Sequence, residues 1–356
     1  MRGVGAVSEG QAETAVTDVA IVGAGPCGLA TAIFCERAGL STLTFDRGAL
    51  VSGVAGYPTW MTFFSTAERI AIADVPFPIA TEKPTRRDAL AYYRLVAARE
   101  RVTLRLYEEV LDVQPLDTPR EAKQATIITR GQRPPRFRIR SRTVPHGEPR
   151  ETLAHAVVIA TGYFGRPSLL GVPGESLPHV SHFFHEGHAA FDRDVVVVGG
   201  GNSAVDAALE LWRAGARVTM VHFGAELDPN VKPWVRPDIE ARIREGSIAA
   251  RLGARVVRIE PHAVMVRTVE GGAESVIPAE HVYAMTGFLP NTRLLEQLGV
   301  PLDAVDGIPA HDPETMETTV PGVFIAGVIA SGNHANRIFI ENGRDHGRLI
   351  ASRLTG

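Results

Sequence analysis

Two glycine-rich turns constrain the fold of this chain more than any other feature of its sequence. The first spans residues 23–28 (GAGPCG) and the second spans residues 199–204 (GGGNSA). Each follows a short apolar run and precedes a stretch with helical character, which is typical of a βαβ nucleotide-binding unit. In such a turn the first glycine allows a tight bend, the second lets the backbone approach a pyrophosphate, and the third lets helix and strand pack closely. The pair therefore predicts two bound dinucleotides, an arrangement that usually moves electrons from a nicotinamide to a flavin.

The other apolar segments predict how two such units share 356 residues, a length that suits two domains. Strands are predicted at 16–22, 40–45, 156–160, 195–198, 218–221, 282–285 and 323–326, with helices at 29–38 and 205–211. Thr-Gly follows the strands that end at Ala160 and Met285, which predicts a crossover out of the first unit and another back into it. We therefore predict an α/β fold with two Rossmann-like dinucleotide-binding domains, the nicotinamide domain being inserted in the FAD domain. The expected boundaries are a disordered tail at 1–16, the first part of the FAD domain at 17–167, the nicotinamide domain at 168–286 and the second part of the FAD domain at 287–356.

The residue that ends the second strand of each unit predicts which nucleotide is bound. Asp46 follows the first turn by about 20 residues, where the fingerprint expects an acid for the ribose hydroxyls of an unphosphorylated nucleotide such as FAD. The corresponding strand of the second unit ends in His222, with no acid, which favours NADPH over NADH. His222 supplies one donor for a 2′-phosphate, and Lys232, Arg236 or Arg242 could fold back to help.

Several other segments carry structural expectations. Residues 56–77 mix aromatic and hydroxyl side chains and predict a loop and short helix that line a pocket. Residues 85–99 predict an amphipathic helix capped by Thr85. Arginines alternate with apolar residues at 136–140, which predicts a solvated edge strand. Residues 338–354 predict one final helix, whose start near 336–338 would stabilise negative charge on a reduced flavin.

Composition excludes several classes of function. The net charge of −3 argues against non-specific binding to nucleic acid or to an anionic membrane. No apolar run reaches the roughly 20 residues that a spanning helix needs, and the N-terminus lacks the basic-then-apolar order of a secretory signal. Two cysteines exclude a disulfide scaffold and fit a reducing cytoplasm. Four histidines recur at every third position from His179 to His188, but no cysteine or carboxylate pattern completes a metal site there, so none is predicted.

From residue 16 onward the chain resembles the low-molecular-weight thioredoxin reductases, and within that group it looks like the YpdA family of bacillithiol disulfide reductases. The segments that carry the resemblance are 23–29, 57–59, 61–66, 82–86, 199–211, 237–240, 312–318 and 338–344. The resemblance implies an FAD enzyme that uses NADPH to reduce a small disulfide, with bacillithiol disulfide as the family's substrate. It also implies a cytoplasmic homo-oligomer. Relatives commonly have an arginine directly after the histidine that corresponds to His222, whereas this chain has Phe223.

Two departures from thioredoxin reductase itself bear on the chemistry. Thioredoxin reductase carries a Cys-x-x-Cys pair just before its second glycine turn, whereas residues 180–188 (VSHFFHEGH) contain no cysteine. This excludes direct reduction of thioredoxin through an internal dithiol. Near the C-terminus, Gly327-Val328 stands where a Gly-Asp pair usually contacts the flavin ribityl chain, a change that also occurs in the YpdA-like family.

Cys27 is the residue with the most interesting chemistry. The free N–H groups and dipole of a helix N-terminus favour a thiolate, whereas the nearby pyrophosphate charge would oppose it. The resemblance implies that Cys27 is the redox-active thiol, which attacks the disulfide and forms a mixed disulfide with bacillithiol. The alternative is a small residue that fills the fingerprint. Cys35, two helical turns further on, is expected to pack in the core.

These considerations define the expected site. The catalytic residue is Cys27, and no metal ligand is predicted. The expected FAD residues are Gly23, Gly25, Pro26, Cys27, Gly28, Asp46, Arg47, Val110, Thr161, Gly162, Gly327, Val328, Arg337 and Ile338. The expected NADPH residues are Gly199, Gly201, Asn202, Ser203, His222, Lys232, Thr286 and Gly287. The crossovers near Gly162 and Gly287 are expected to act as hinges.

Three other functions stay open from the sequence. A ferredoxin or flavodoxin–NADP reductase of the thioredoxin-reductase type also lacks the dithiol. A flavin monooxygenase is kept open because residues 180–188 loosely match the Phe-x-Gly-x-x-x-His linker of that class. A flavin-bound redox sensor is the non-enzymatic alternative, although the chain has no recognisable partner-binding appendage.

Overall fold

The computed structural model describes residues 15–116, 134–272, 274–334 and 336–356. Its parallel strands and crossing helices form the predicted α/β fold. The first strand begins at Ala15, so the last two residues of the expected tail belong to a strand, and the rest of that tail lies outside the described residues.

The elements follow one another in three parts. The first part contributes β1 (Ala15–Val22), α1 (Pro26–Arg37), β2 (Thr42–Asp46), α2 (Ser52–Ala55), α3 (Ala67–Ile70), α4 (Arg86–Arg99), β3 (Leu104–Leu106), β4 (Glu108–Pro115), β5 (Phe137–Thr143) and β6 (Pro149–Ile159). The middle part contributes β7 (Val180–Ser181), a 3₁₀ turn (His188–Ala190), β8 (Asp194–Val198), α5 (Asn202–Arg213), β9 (Arg217–His222), α6 (Arg236–Arg244), β10 (Ala249–Leu252), β11 (Ala254–Glu260), β12 (Ala263–Thr268), β13 (Glu274–Pro278) and β14 (His281–Ala284). The last part contributes α7 (Arg293–Gln297), β15 (Val323–Ile325), a 3₁₀ turn (Gly327–Ser331), α8 (Ile340–Gly343) and α9 (His346–Thr355).

The larger sheet combines both ends of the chain. Its strands run in the order β3-β2-β1-β6-β5-β4, and β15 also pairs with β6. Helix α1 is buried along eight consecutive residues, from Gly28 to Cys35, because it is covered by the sheet on one side and by α9 on the other. We call this part, built from the first and last parts of the chain, the first unit.

The middle part forms the second unit around a parallel sheet in the order β10-β9-β8-β14-β7. Strand β8 shows why it is buried on both sides. Val195 and Val197 pack against α5, whereas Val196 and Val198 face the antiparallel sheet β11-β12-β13. Continuous apolar strands of this kind are typical of parallel sheets covered on both faces.

The expectation of an edge strand at 136–140 is wrong. Strand β5 lies inside the sheet, paired on one side with β4 and on the other with β6. Its arginines are held by acids from these neighbours, Arg140 by Asp112 at 3.1 Å and Arg138 by Glu151 at 3.6 Å. Cross-strand ion pairs thus let a strand with a charged face lie between two other strands of the sheet.

The single helix expected at 338–354 is also wrong, because the chain forms α8 and α9 with a break at residues 344–345. Gly343 ends α8 where a Cβ would lie 3.0 Å from the Cys27 sulfur, so close packing requires a residue that is a poor helix former. Helix α8 has four residues and begins at Ile340, so the expected helix start near 336–338 does not exist. By contrast, α4 begins as predicted, with Thr85 and Asp88 forming a capping box.

Candidate functional site

The first glycine turn is shaped by close contacts at two of its glycines. Gly23 has φ +115°, and a Cβ there would lie 2.2 Å from the carbonyl oxygen of Ala160 at the end of β6. A Cβ on Gly28 would lie 2.0 Å from the Gly23 carbonyl oxygen. A Cβ on Gly25 would meet nothing within 4 Å, so the backbone there faces open space. The turn is therefore packed from behind and free in front, as a pyrophosphate cradle requires.

Helix α1 begins directly at this open face. Gly25 is its N-cap and Pro26 its first residue, and no side chain caps it. Its first-turn N–H groups have no side-chain acceptor from a cap, and the helix dipole adds positive potential. The residues present fit a dinucleotide phosphate.

Asp46, at the end of β2, lies beside the same turn. One carboxylate oxygen accepts the Ala24 N–H at 2.9 Å, and the other accepts the Gly48 N–H at 2.8 Å and the Ser52 hydroxyl at 3.2 Å. These bonds fix the carboxylate next to the cradle. A carboxylate there can accept further bonds from ribose hydroxyls, since each oxygen has two lone pairs.

The second turn repeats the geometry of the first. Gly199 has φ +137° and a Cβ there would lie 2.5 Å from the Met285 carbonyl oxygen at the end of β14. A Cβ on Gly201 would again meet nothing within 4 Å, and α5 begins after it without a side-chain cap. Ala204, at the third position, packs its methyl group close to Gly199. Ser203 is exposed at the helix start.

Two of the expected NADPH residues are engaged elsewhere. The Asn202 amide donates to the Asn230 carbonyl at 3.0 Å and accepts the Lys232 N–H at 3.0 Å. The Lys232 ammonium pairs with Asp206 at 2.9 Å and lies 3.5 Å above the ring of Phe64, a residue of the first unit. Lys232 therefore joins the two units, and its role beside His222 stays a prediction.

His222 is buried against the second turn. A Cβ on Gly200 would lie 2.6 Å from the imidazole ring, so the glycine makes room for the histidine. Burial lowers the pKa of His222, which holds the ring neutral at pH 7, and the Asp228 charge opposes this shift. Its Nδ1 has no partner among the residues that the structure describes. An open pocket of about 560 Å³ lies at this edge, and its lining residues are His222, Phe223, Gly224, Glu226, Leu227, Asp228, Pro229 and Arg236.

The Cys27 side chain is half-buried, and its sulfur lies against two glycines from the last part of the chain. Its sulfur fills the space that two glycines leave, because a Cβ on Gly327 would lie 3.1 Å from it and a Cβ on Gly343 would lie 3.0 Å from it. Burial raises the pKa of Cys27 to about 12, and the charges of Glu341 and Asp345 add to this effect. Burial also raises the pKa of Cys35 to about 12. In this conformation the surroundings outweigh the helix N-terminus and hold Cys27 as a thiol.

The expected FAD residues beyond the turn lie around the first unit in three places. The Arg47 guanidinium reaches the loop after β6, where it donates to the Gly165 carbonyl at 3.3 Å. Val110 is buried in β4 and its carbonyl accepts from Arg293 at 2.9 Å. Gly327, with φ +78°, lies against Cys27, and its N–H donates to the His346 ring at 3.2 Å. Beyond Gly327, Val328 is partly exposed in the 3₁₀ turn. Ile338 packs against the hydrophobic core of the first unit, and Arg337 is exposed.

The two crossovers run side by side. The Ser168 N–H donates to the Gly287 carbonyl at 2.9 Å, and the Leu289 N–H donates to the Arg166 carbonyl at 2.8 Å. The Thr286 hydroxyl donates to the Ser168 carbonyl at 2.5 Å. Gly287 has φ +87°, and Gly162 and Thr161 lie just before this segment, with φ +69° at Gly162 and the Thr161 hydroxyl bonded to the Asn291 carbonyl at 3.3 Å.

Aromatic rings cover these crossovers. The ring of Phe164 stacks on Phe288 at 4.3 Å and meets Tyr57 at 5.0 Å, and Phe288 lies 5.4 Å from Phe183. We call these four residues the aromatic hinge cluster, since Tyr57 comes from the first unit and Phe183 from the second. A further contact between the units joins the rings of Phe64 and Trp234 at 5.9 Å.

Two remaining expectations concern absences. Among the residues that the structure describes, no three His, Cys, Asp or Glu side chains lie together in a way that could hold a metal ion, and His182 pairs with Glu175 at 3.3 Å. Within the same part of the chain, no helix is both long and apolar enough to cross a bilayer.

Sequence reasoning missed residues that reach the site from a distance. Arg293 binds the carbonyl of Val110, His346 binds Gly327, and Glu341 accepts the Ser65 hydroxyl beside Cys27. Arg255 lies over the ring of Phe223, with the guanidinium carbon 4.8 Å from the ring centroid. Spacing along the chain does not reveal these contacts, because each residue is far in sequence from the one that it contacts.

Comparisons with known proteins give consistent findings. The sequence pattern of pyridine nucleotide-disulphide oxidoreductases matches residues 20–132 and 146–327. Bacilliredoxin reductase Bdr of Bacillus subtilis (strain 168) is 44% identical over 335 residues, which are 94% of this chain and 96% of that protein. The solved structure of bacillithiol disulfide reductase Bdr (YpdA) from Bacillus cereus is 42% identical with a TM-score of 0.87, and the match covers 96% of this chain and 99% of that one.

A second bacillithiol disulfide reductase Bdr (YpdA), from Staphylococcus aureus, is 37% identical with a TM-score of 0.84 over 96% of this chain and 98% of its own. The thioredoxin reductase of T. acidophilum has a TM-score of 0.70 at 23% identity over 96% and 98% of the two chains, a likeness of fold alone. These findings confirm the thioredoxin-reductase-like fold and the resemblance to the YpdA family.

Proposed function

This chain belongs to the pyridine nucleotide-disulphide oxidoreductases, and from that premise we propose that it is an NADPH-dependent FAD enzyme that reduces a small disulfide. The substrate we propose is bacillithiol disulfide, for which the two similar reductases from Bacillus cereus and Staphylococcus aureus are named. In the reaction one S–S bond breaks, NADPH is oxidised to NADP⁺, and a solvent proton joins the transferred hydride to complete two thiols.

The observation that carries the proposal is the pair of open cradles, one in each unit. Gly25 and Gly201 both face open space at the start of an uncapped helix of 12 residues. Two anion sites of the same design, on two parallel sheets of one chain, suit two dinucleotides. When bound, FAD supplies two-electron chemistry that links a nicotinamide to a disulfide.

The residues of this chain supply binding, orientation and a path for movement. Asp46 is the proposed partner of the FAD ribose, and the first-turn N–H groups of α1 and α5 are the proposed partners of the phosphates. The aromatic hinge cluster keeps an apolar contact between the units at the crossovers. We propose that rotation of the second unit about these crossovers brings the nicotinamide to the flavin.

A small disulfide suits a chain that has no internal dithiol. Cys27 and Cys35 are its two cysteines, and they are not arranged as Cys-x-x-Cys. We propose Cys27 as the nucleophile: its sulfur bonds one half of the substrate, the other half leaves as a thiolate that takes up a solvent proton, and the two electrons supplied by NADPH would then break this mixed disulfide. The raised pKa means that the Cys27 proton must be removed before attack. Glu341, whose charge acts on Cys27 and which bonds Ser65, is the proposed acceptor of that proton.

The cellular setting follows from the same chemistry. Two free cysteines suit a reducing compartment, so we propose the cytoplasm. The net charge of −3 gives no reason to propose a nucleic-acid or membrane partner. A homo-oligomer is proposed from the resemblance to the YpdA family, and light scattering of the purified protein tests it.

Anaerobic NADPH oxidation tests the proposed reaction. The purified protein should be yellow, and under nitrogen it should oxidise NADPH when bacillithiol disulfide is added. Cys27→Ser should abolish disulfide reduction while flavin reduction by NADPH persists. Cys35→Ala is the matched control, because Cys35 is buried about two turns of α1 beyond the cradle, and it should retain activity.

Each rival function has its own signature in that assay. A ferredoxin–NADP reductase would reduce an iron–sulfur protein and tolerate Cys27→Ser. A flavin monooxygenase would consume NADPH with oxygen and oxygenate a substrate, and a sensor would turn over slowly with every acceptor. A colourless protein that takes up no FAD would overturn the proposal altogether.

A further inference from the structure

An arginine and an exposed phenylalanine meet at the edge of the second unit. The Arg255 guanidinium carbon lies 4.8 Å from the centroid of the Phe223 ring, and Phe223 is 57% exposed. Phe223 directly follows His222 at the end of β9 and lines the open pocket there. A cation held over an aromatic face is positioned without losing its ability to bond other groups.

The fold brings the two residues together although 31 residues separate them in the chain. Strand β10 runs parallel to β9, with Leu252 opposite His222. The Gly253 N–H then donates to the Gly224 carbonyl at 2.7 Å, which ties the turn after β10 to the loop after β9. Arg255 comes two residues later, on β11, so the register of this pair of strands sets its position.

This edge is where a Rossmann unit holds the adenosine ribose of its nucleotide. A 2′-phosphate there carries about two negative charges and is best bound by a guanidinium, whose fork of N–H donors matches phosphate oxygens. Glu226 and Asp228 also line the pocket, so a phosphate needs a cation to offset them. The residue directly after His222 is Phe223, which offers a phosphate no positive charge.

The other basic residues near this edge are already engaged. Lys232 is paired with Asp206, and Arg242 lies over Trp212 and contacts Asp238 and Glu245. This leaves Arg236, which lines the pocket, and Arg251 and Arg255, on β10 and β11, as the basic residues to compare.

Arg236 donates to the Asp228 carbonyl at 2.5 Å and pairs with Glu240 at 3.1 Å. Among the described residues, neither Arg255 nor Arg251 has a carboxylate partner. Of these two, Arg255 is the one that lies on the ring of Phe223.

We infer that Arg255, positioned by the Phe223 ring, binds the 2′-phosphate of the nicotinamide cofactor and so selects NADPH over NADH. The inference rests on the proposed function, which supplies the cofactor. The positive charge that Phe223 lacks is supplied by Arg255 from β11, across the end of the sheet.

Equilibrium binding tests this without relying on turnover. Adenosine 2′,5′-bisphosphate, NADP⁺ and NAD⁺ are titrated into the FAD-loaded protein by calorimetry, since the oxidised nucleotides cannot reduce the flavin. Arg255→Ala should weaken binding of the bisphosphate and NADP⁺ by roughly 30-fold while that of NAD⁺ changes less than about twofold, because a bidentate charge-assisted contact is lost. Arg255→Lys should lose about fivefold, since a point charge replaces the fork. Arg258→Ala, an exposed arginine on the same strand paired with Glu260, is the charge-matched control and should leave all three affinities unchanged.

A rescue variant separates binding from a structural role. Phe223→Arg combined with Arg255→Ala should recover most of the affinity for the bisphosphate, because the positive charge returns directly after His222. If Arg255→Ala keeps wild-type affinity for NADP⁺ and the bisphosphate, the inference is overturned and the proposed function stands. If the wild type itself binds NAD⁺ as tightly as NADP⁺, the choice of NADPH in the proposed function is the statement that fails. Should Arg255→Ala fold poorly, the Arg255→Lys titration decides.

Discussion

The two nucleotide turns of this protein share a backbone and differ in the side chains around it. In both turns the first glycine contacts the end of a neighbouring strand. An uncapped helix then begins directly after Gly25 in the first turn and after Gly201 in the second. The strand that follows ends in Asp46 in the first unit and in a buried, neutral His222 in the second. The backbone therefore creates two equivalent anion sites, and the residue at the strand end decides which nucleotide each one suits.

The helix starts differ in the same way. Cys27 and Ser203 are each the second residue of their helix. The Cys27 sulfur lies against two glycines, whereas Ser203 is exposed. Likewise, the Gly23 carbonyl oxygen leaves no room for a methyl group at Gly28, whereas the same position of the second turn holds the methyl group of Ala204. A shared fingerprint thus specifies the turn but leaves each side chain to its own surroundings.

The sharpest way to break the comparison exchanges the third residue of the two turns. Gly28→Ala should cost on the order of 3 kcal/mol or more and leave little folded, FAD-loaded protein, because the new methyl carbon would lie 2.0 Å from the Gly23 carbonyl oxygen. Ala204→Gly should cost only about 1 kcal/mol through helix propensity. Thermal unfolding and flavin content measure both, and equal effects of the two changes would contradict the asymmetry.

Thiol reactivity sharpens the contrast between the helix starts. Because burial raises the pKa of Cys27 to about 12, its alkylation by iodoacetamide should rise about tenfold per pH unit from pH 7 to 9 without levelling. The thiol introduced by Ser203→Cys, exposed at a helix N-terminus, should react roughly 1000-fold faster at pH 7.5 and level off near pH 8. Mass spectrometry of each peptide provides the rates. Fast, pH-independent alkylation of Cys27 would mean that the helix N-terminus outweighs burial.

Asp46 tests the role of the strand end in the first unit. Asp46→Ala should weaken FAD binding by about 100-fold, since it removes the proposed ribose acceptor and the bonds that fix Ala24 and Gly48. Reconstitution of apoprotein followed by flavin fluorescence gives the affinity. Asp46→Asn keeps the shape of the side chain and loses its charge, so its FAD affinity should lie between those of the wild type and Asp46→Ala. NADPH affinity should be unaffected by either variant, and a parallel loss would point to general unfolding.

The smallest effect concerns His346, the buried histidine of the first unit. Burial lowers its pKa to about 4, the His311 charge adds to this, and Asp345 opposes it. Between about pH 6.5 and 4 the unfolded chain binds a proton that the folded protein excludes, so the free energy of unfolding should fall with falling pH by on the order of 1 kcal/mol per unit. His346→Gln should flatten that part of a denaturation series against pH. An unchanged slope would show that His346 is protonated in the folded protein.

The sequence predicted what depends on neighbours along the chain. Both glycine turns, their strands and the Thr85 cap follow from local spacing and are present in the structure. The edge strand and the single C-terminal helix were wrong because they depend on distant partners. Acids on two other strands hold the β5 arginines, and Gly343 ends its helix to pack on Cys27.

The candidate site divides along the same line. Asp46 and the turn glycines could be predicted because the fingerprint fixes their spacing. The contacts of Lys232 to Asp206 and to Phe64 of the other unit could not be predicted, because they depend on the folded arrangement. Arg255 could not be found at all, since only the register of β10 on β9 brings it to Phe223.

The hydrogen-bonded crossovers have a consequence for how this architecture could be assembled. Since the Ser168 N–H and the Gly287 carbonyl are 2.9 Å apart, the middle of the chain departs and returns at practically one point. Excising it would leave two ends that a few residues could join, with the larger sheet undisturbed. The inserted third of the chain is in this respect a separable module, which recombination between genes could exchange as a whole.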